Sequence, residues 1–184
     1  MNFTLSSQEK SFLLETARES IRGALTGEPP HYPEATENLQ QDCGAFVTLH
    51  KEDKLRGCIG HIIATKPLFE AVKELARSSA FEDPRFPPLR LSELDVVDIE
   101  ISVLTPLERA ESAEQVEVGV HGVYIKSGAR SGVLLPQVPV EQGWNRRQYL
   151  SNLCLKAGLS GDCWTMPHTE LYLFTAIVFG EKEQ

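Results

Sequence analysis

The three prolines of Asp83-Pro84-Arg85-Phe86-Pro87-Pro88 constrain this chain more than any other stretch. A proline has no backbone N–H, fixes its own φ and pushes its predecessor out of the helical region. No helix can continue through such a segment, so it parts a helical pattern from a strand pattern. On its N-terminal side, Leu68, Phe69, Val72, Leu75 and Ala76 recur at helical spacing, with Pro67 near the first turn and Thr65 placed to cap it. On its C-terminal side, Ile99, Ile101 and Val103 alternate with Glu100 and Ser102 within Val96 to Leu104. That alternation predicts a strand with one wetter face.

The same reading extends outward. Ser6 and Glu9 have the spacing of a capping box, and Phe12, Leu13, Ala17, Ile21, Ala24 and Leu25 follow as one apolar stripe. Gly27 and Pro29-Pro30 end that helix, and a polar connection runs to about Asp42. Gly44 to His50 and Leu55 to Ile63 read as two strands, hairpinned through Lys51-Glu52-Asp53-Lys54. Val118 to Lys126 and Gly132 to Leu135 predict a second hairpin. Asn145 and Gln148 start a third helix that presents Tyr149, Leu150, Leu153 and Leu155, with Gly158 at its end. Leu171 to Phe179 is apolar on both faces, as in a strand covered on both sides. Interspersed helices and strands predict an α/β (α+β) class with mixed sheets.

Composition narrows the setting. With 184 residues, 41% apolar and 24% charged, the chain can bury a core without staples. Met1 to Ser7 lacks the pattern of a secretory signal, and no apolar run approaches the roughly 18 residues of a membrane span, which predicts a cytoplasmic protein. Cys43, Cys58, Cys154 and Cys163 form no C-x-x-C pair and are expected to be thiols, with no metal site. The net charge of −8 argues against gripping phosphate backbones. Lys126, Arg130, Arg146, Arg147 and Lys156 nevertheless face only Glu141 between Val120 and Ser160, a local basic surface that is the weakest of the functional readings.

Several segments in order carry a resemblance. Gly44-Ala45-Phe46-Val47-Thr48 precedes Leu55-Arg56-Gly57-Cys58-Ile59-Gly60, and Asp83 to Leu89 and Ile99 to Leu104 follow. Val118-Gly119-Val120-His121-Gly122, Leu134-Leu135-Pro136-Gln137-Val138 and Gly143-Trp144 complete the series. Together they resemble the AMMECR domain family, called AmmeMemoRadiSam system protein A in many prokaryotes, over about Phe12 to Phe179. The resemblance implies one AMMECR-type domain over 1–184, with two unequal lobes and the Leu55–Gly60 segment near a cleft. It also implies association with Memo-like proteins and radical-SAM enzymes. It supplies neither a reaction nor a cofactor.

The residues themselves suggest two uses for that segment. Strand alternation places Arg56, Cys58 and Gly60 on one face and His61 on the other. A guanidinium whose charge reaches the sulfur stabilises a thiolate, and Gly57 and Gly60 let backbone approach a ligand. His121, between Gly119 and Gly122, is then the better base for Cys58, with Asp83 or Glu100 to orient it. Alternatively Cys58 is a packed thiol and the glycines mark a bulge. Arg85 can clamp a carboxylate or phosphate, or tie down its own loop. Trp144 reads as a core anchor. His121, Asp83 and Glu100 match an iron triad only in residue type, and their spacing does not support a metal. The leading expectation is a binding or accessory protein that holds a small molecule or peptide segment with Arg56, Gly57, Gly60, Asp83 and Arg85. An enzyme with Cys58 as nucleophile and His121 as base comes second.

Overall fold

The computed structural model describes residues 3–183. Ser6 and Glu9 close a reciprocal capping box at the start of α1 (Ser7–Thr26), and Gly27 ends the helix in the left-handed region at φ 75°. Its buried stripe is Leu13, Leu14, Ala17 and Ile21; Ala24, in the last turn, is exposed. β1 (Gly44–Lys51) and β2 (Lys54–His61) form the expected hairpin. Glu52 and Asp53 both take positive φ at its tip, the turn whose twist matches the strands.

α2 (Leu68–Phe81) starts directly after Pro67, and Thr65 does not cap it. The Leu68 amide donates instead to the Gln41 carbonyl at 2.9 Å, so that donor has a partner in the preceding connection. Beyond the helix, the Leu89 amide returns to the Ala80 carbonyl at 2.8 Å, folding the proline-dense segment back against the helix end. β3 (Val97–Leu104) then pairs antiparallel with β1. Val47, Leu49, Ile99, Ile101 and Val103 join Leu13, Ile21, Val72 and Leu75 in one core, so the two helices cover one face of this sheet.

A second unit comprises residues 105–176. It contains β4 (Glu108–Arg109), β5 (Gly122–Ser127), β6 (Arg130–Leu134), α3 (Gln137–Glu141), α4 (Arg146–Lys156) and β7 (Glu170–Phe174). Its antiparallel sheet has the order β4-β7-β5-β6 and packs with α4 around Val123, Ile125, Tyr149, Leu150 and Leu153. Residues 118–121 are a turn, not the start of β5, because Gly119 at φ 85° takes the backbone out of the extended region. The Asn145–Gln148 capping box is present, and Gly158 at φ 71° completes a Schellman motif with Leu159 N–H on Cys154 O. Leu155 is exposed: it lies two residues after Leu153, about 200° around the helix, and Cys154 takes the buried place.

Two further expectations are corrected. Leu171 to Phe179 is not one strand. It breaks at Thr175, and β8 (Ala176–Gly180) joins the first sheet, whose order is β2-β1-β3-β8. The Thr105 and Thr175 backbones bond at the break, with the Thr175 amide on Thr105 Oγ1 at 2.8 Å. A run apolar on both faces therefore serves two cores in succession. Cys154 and Cys163 are also not thiols: they form a disulfide with Cα atoms 5.9 Å apart, joining α4 to the turn at Cys163–Thr165. Their nine-residue separation resembles no motif, and tertiary packing brings them together. Cys154→Ser, or full reduction, is expected to destabilise the second unit by about 2–3 kcal/mol through loop-closure entropy, read as a lower Tm in thermal melts.

Candidate functional site

β2 is the outer strand of the first sheet, so one side of its backbone has no neighbouring strand. In the β1–β2 register Cys58 lies opposite Thr48 and Gly60 opposite Phe46. Gly57 and Ile59 face α2. A Cβ on Gly57 would fall 2.1 Å from the Ser79 carbonyl oxygen, so the end of α2 lies directly on the strand. The Ser79 hydroxyl sits between the strands, accepting from Ile59 N–H at 2.9 Å and donating to Val47 O at 2.7 Å. Cys58 and Gly60 face the other way. Thr48 Oγ1 donates to Cys58 Sγ at 3.3 Å, and the Phe46 ring covers the place a side chain at position 60 would need.

The proline-dense segment closes the free side of Cys58. Asp83, whose side chain is 2% exposed, accepts the Cys58 amide at 2.9 Å and the Arg85 amide at 3.1 Å. It also accepts Arg85 Nε at 2.9 Å and Nη2 at 2.7 Å. Arg85 Nη2 reaches the Cys58 carbonyl at 3.2 Å. A carboxylate and a guanidinium thus take the two backbone groups that a further strand would take. The Arg85 hydrogen bonds hold the Asp83 carboxyl well below the usual carboxylate range; burial opposes this, and the Cys58 and Arg85 amides add to it.

Arg56 is committed elsewhere. The register shifts between Leu49 and His50, which pair with Gly57 and Leu55, and leaves Arg56 as the extra residue of a bulge. Strict alternation from Cys58 back to Arg56 is lost at this point. Arg56 Nε and Nη2 bind Glu93 at 3.2 and 3.0 Å, with Lys51 Nζ on the same carboxylate at 3.0 Å. These contacts, led by Arg56, lower the Glu93 pKa to about 2. The guanidinium bonded at Cys58 is that of Arg85.

His121 belongs to the second unit. Its Nδ1 accepts the Glu117 amide at 3.1 Å, so the neutral ring carries its proton on Nε2. Two of the five basic side chains noted between Val120 and Ser160 serve local structure: Arg146 Nε donates to Val116 O, and Arg130 donates to Gly158 O. Trp144 packs against the second core, as a core anchor should. Among the described residues, no group of three or more His, Cys, Asp or Glu side chains is arranged to hold a metal ion.

Thr48, Ser79 and Glu93 were not legible as site residues. Thr48 opposes Cys58 once the hairpin register is drawn, so its role had a local signal. Ser79 and Glu93 reach β2 from 20 and 37 residues away and had none.

Two antiparallel four-stranded sheets in separate units, with a proline-anchored carboxylate closing a glycine-rich edge strand, define a class of mixed α/β proteins. The chain belongs to the AMMECR1 family, whose profile matches residues 14–179. A protein of Methanopyrus kandleri is 47% identical, the match covering 100% of this chain and 93% of that one. One from Aquifex aeolicus is 42% identical over 93% and 92% of the two chains. The crystal structure of an uncharacterised protein from Pyrococcus horikoshii, 41% identical, superposes with a TM-score of 0.87 and covers 97% of this chain and 94% of that one.

Proposed function

We propose that this is a binding or accessory protein that recognises its ligand or partner at the Arg56–Gly60 strand together with Asp83 and Arg85. The observation that carries this is how the polar groups are used. Asp83 spends four hydrogen bonds on Cys58 and Arg85, and Arg56 is held by Glu93. The result is a rigid, preorganised surface, which favours recognition over proton transfer. The family resemblance directs the search to Memo-like and radical-SAM proteins. Purified representatives should co-elute with the chain and raise its Tm, and Arg85→Gln should weaken that effect at least several-fold. No co-elution and no Tm shift with either partner class would sink the reading.

A second reading keeps Cys58 as a nucleophile with His121 as base. Cys58 is partly exposed and accepts a hydroxyl hydrogen bond from Thr48, so its sulfur is within reach of solvent and held in one place. Against it, His121 Nδ1 is already occupied, so its ring offers a donor and not a lone pair. Iodoacetamide should modify Cys58 before Cys43, whose thiol burial pushes up to about 11. If Cys58 reacts no faster than a free peptide cysteine across the pH range, or only after unfolding, the nucleophile reading fails.

A further inference from the structure

The open side of β2 has an unused half. Cys58 directs its amide and carbonyl away from β1, as its bonds to Asp83 and Arg85 show. Gly60 stands two residues further along the same regular register, so its N–H and C=O point along the same edge. No strand follows β2 in the sheet, and no side chain among the described residues bonds Gly60. Edge strands are commonly guarded by proline, lysine or a covering element, and here the guard stops at Cys58.

At the boundary between closed and open edge sits Arg85. Its side chain is 54% exposed; Nε and Nη2 are spent on Asp83 and Cys58, and Nη1 makes no hydrogen bond among the described residues. A guanidinium with a free N–H pair beside the outward N–H and C=O of Gly60 suits an extended chain with a carboxylate at one end. The regular stretch Gly57–His61 carries no acid, so a second copy laid along it would bring no carboxylate of its own strand to Arg85.

Resting on the binding reading above, we propose that β2 accepts an extended, carboxylate-bearing segment of a partner protein as an added strand, paired at Gly60 and anchored on Arg85. Specificity comes from the carboxylate and affinity from the main chain. The Arg56 bulge limits the added strand to the Gly57–His61 end, where the pairing is regular.

The test follows amide exchange at Gly60 by NMR in the whole chain. The probe is an acetylated hexapeptide of alternating threonine and valine with a free C-terminal carboxylate. Saturating peptide should slow Gly60 exchange about ten-fold, while the C-terminally amidated peptide, or Arg85→Gln protein, should give less than about two-fold. An unchanged Gly60 overturns the inference, as does equal protection by the amidated peptide or by acetate alone. Protection that rises with protein concentration without peptide identifies a second copy and also overturns it. If Arg85→Gln fails to fold, the two peptides on the unaltered chain decide. A Memo-like or radical-SAM protein that co-elutes while Gly60 stays unprotected defeats the added strand and spares the binding reading. Peptide protection without any such partner does the reverse.

Discussion

Gly57→Ala is expected to leave the chain unfolded or destabilised by at least about 3 kcal/mol, a loss visible in denaturant melts. The added methyl carbon would lie 2.1 Å from the Ser79 carbonyl oxygen, and that oxygen belongs to helix backbone. Relief would require moving the end of α2. That shift would also draw the Ser79 hydroxyl out from between Ile59 and Val47, exposing two ladder groups that it bridges. Gly60→Ala provides the comparison. There the obstacle is the Phe46 ring, a side chain, so Phe46→Ala in the same chain should recover part of the stability. No partner substitution of this kind should rescue Gly57→Ala. A Gly57→Ala protein within about 1 kcal/mol of the parent would show that β2 and α2 do not meet as described.

Asp83→Asn should produce the second large effect. It removes the charge from a carboxylate that is 2% exposed and receives four hydrogen bonds, and it turns an amide donor toward Cys58 or Arg85. Losing one member of a buried pair costs roughly 3–5 kcal/mol, but the Arg85 side chain is half in water, so about 2–3 kcal/mol is expected. The pH dependence has a definite sign. The folded-state pKa of Asp83 is depressed, so its contribution is complete above the unfolded value near 3.9 and fades as pH falls below it. Glu93, lowered to about 2, behaves likewise. The stability gap between the parent and Asp83→Asn should be level from about pH 8 to 5 and narrow progressively below about pH 4. A gap that widens on acidification would contradict the assigned direction.

The features legible in the sequence were those settled by neighbours along the chain. Ser6 with Glu9 and Asn145 with Gln148 are three residues apart, and both boxes formed as the spacing implied. The hairpin at Glu52–Asp53 was written in a charged loop between two alternating runs. Gly27 and Gly158 marked helix ends because few other residues adopt positive φ without strain. What stayed hidden was settled across the fold. Asp83 meets Cys58 across a sequence separation of 25, and Glu93 meets Arg56 across one of 37. The Arg56 bulge undid a simple parity argument, because one extra residue shifts every side chain on one side of it. The Cys154–Cys163 pair and the break at Thr175 depend on which core each side chain finds, and periodicity does not encode that.

The candidate site shows the same division. The Leu55–Gly60 segment and the Asp83–Arg85 pair stood out as residues worth watching, yet their connection ran opposite to the obvious guess. Proximity in sequence suggested Arg56 as the cation beside the thiol. Folding sends Arg56 to Glu93 and brings Arg85 to Cys58 from the far end of α2.

The split of the C-terminal apolar run at Thr175 fixes an order of events during synthesis on the ribosome. Residues 105–176 are contiguous, so that unit has every strand of its sheet once Ala176 clears the exit tunnel. The first unit, begun earlier, waits for β8 before its outer strand is filled. It also waits for Glu181, whose carboxylate binds Arg18 and the Ile99 amide. Until then β3 is a nascent edge, exposed for the whole time the inserted unit takes to be made, and the half first translated is the last to be finished.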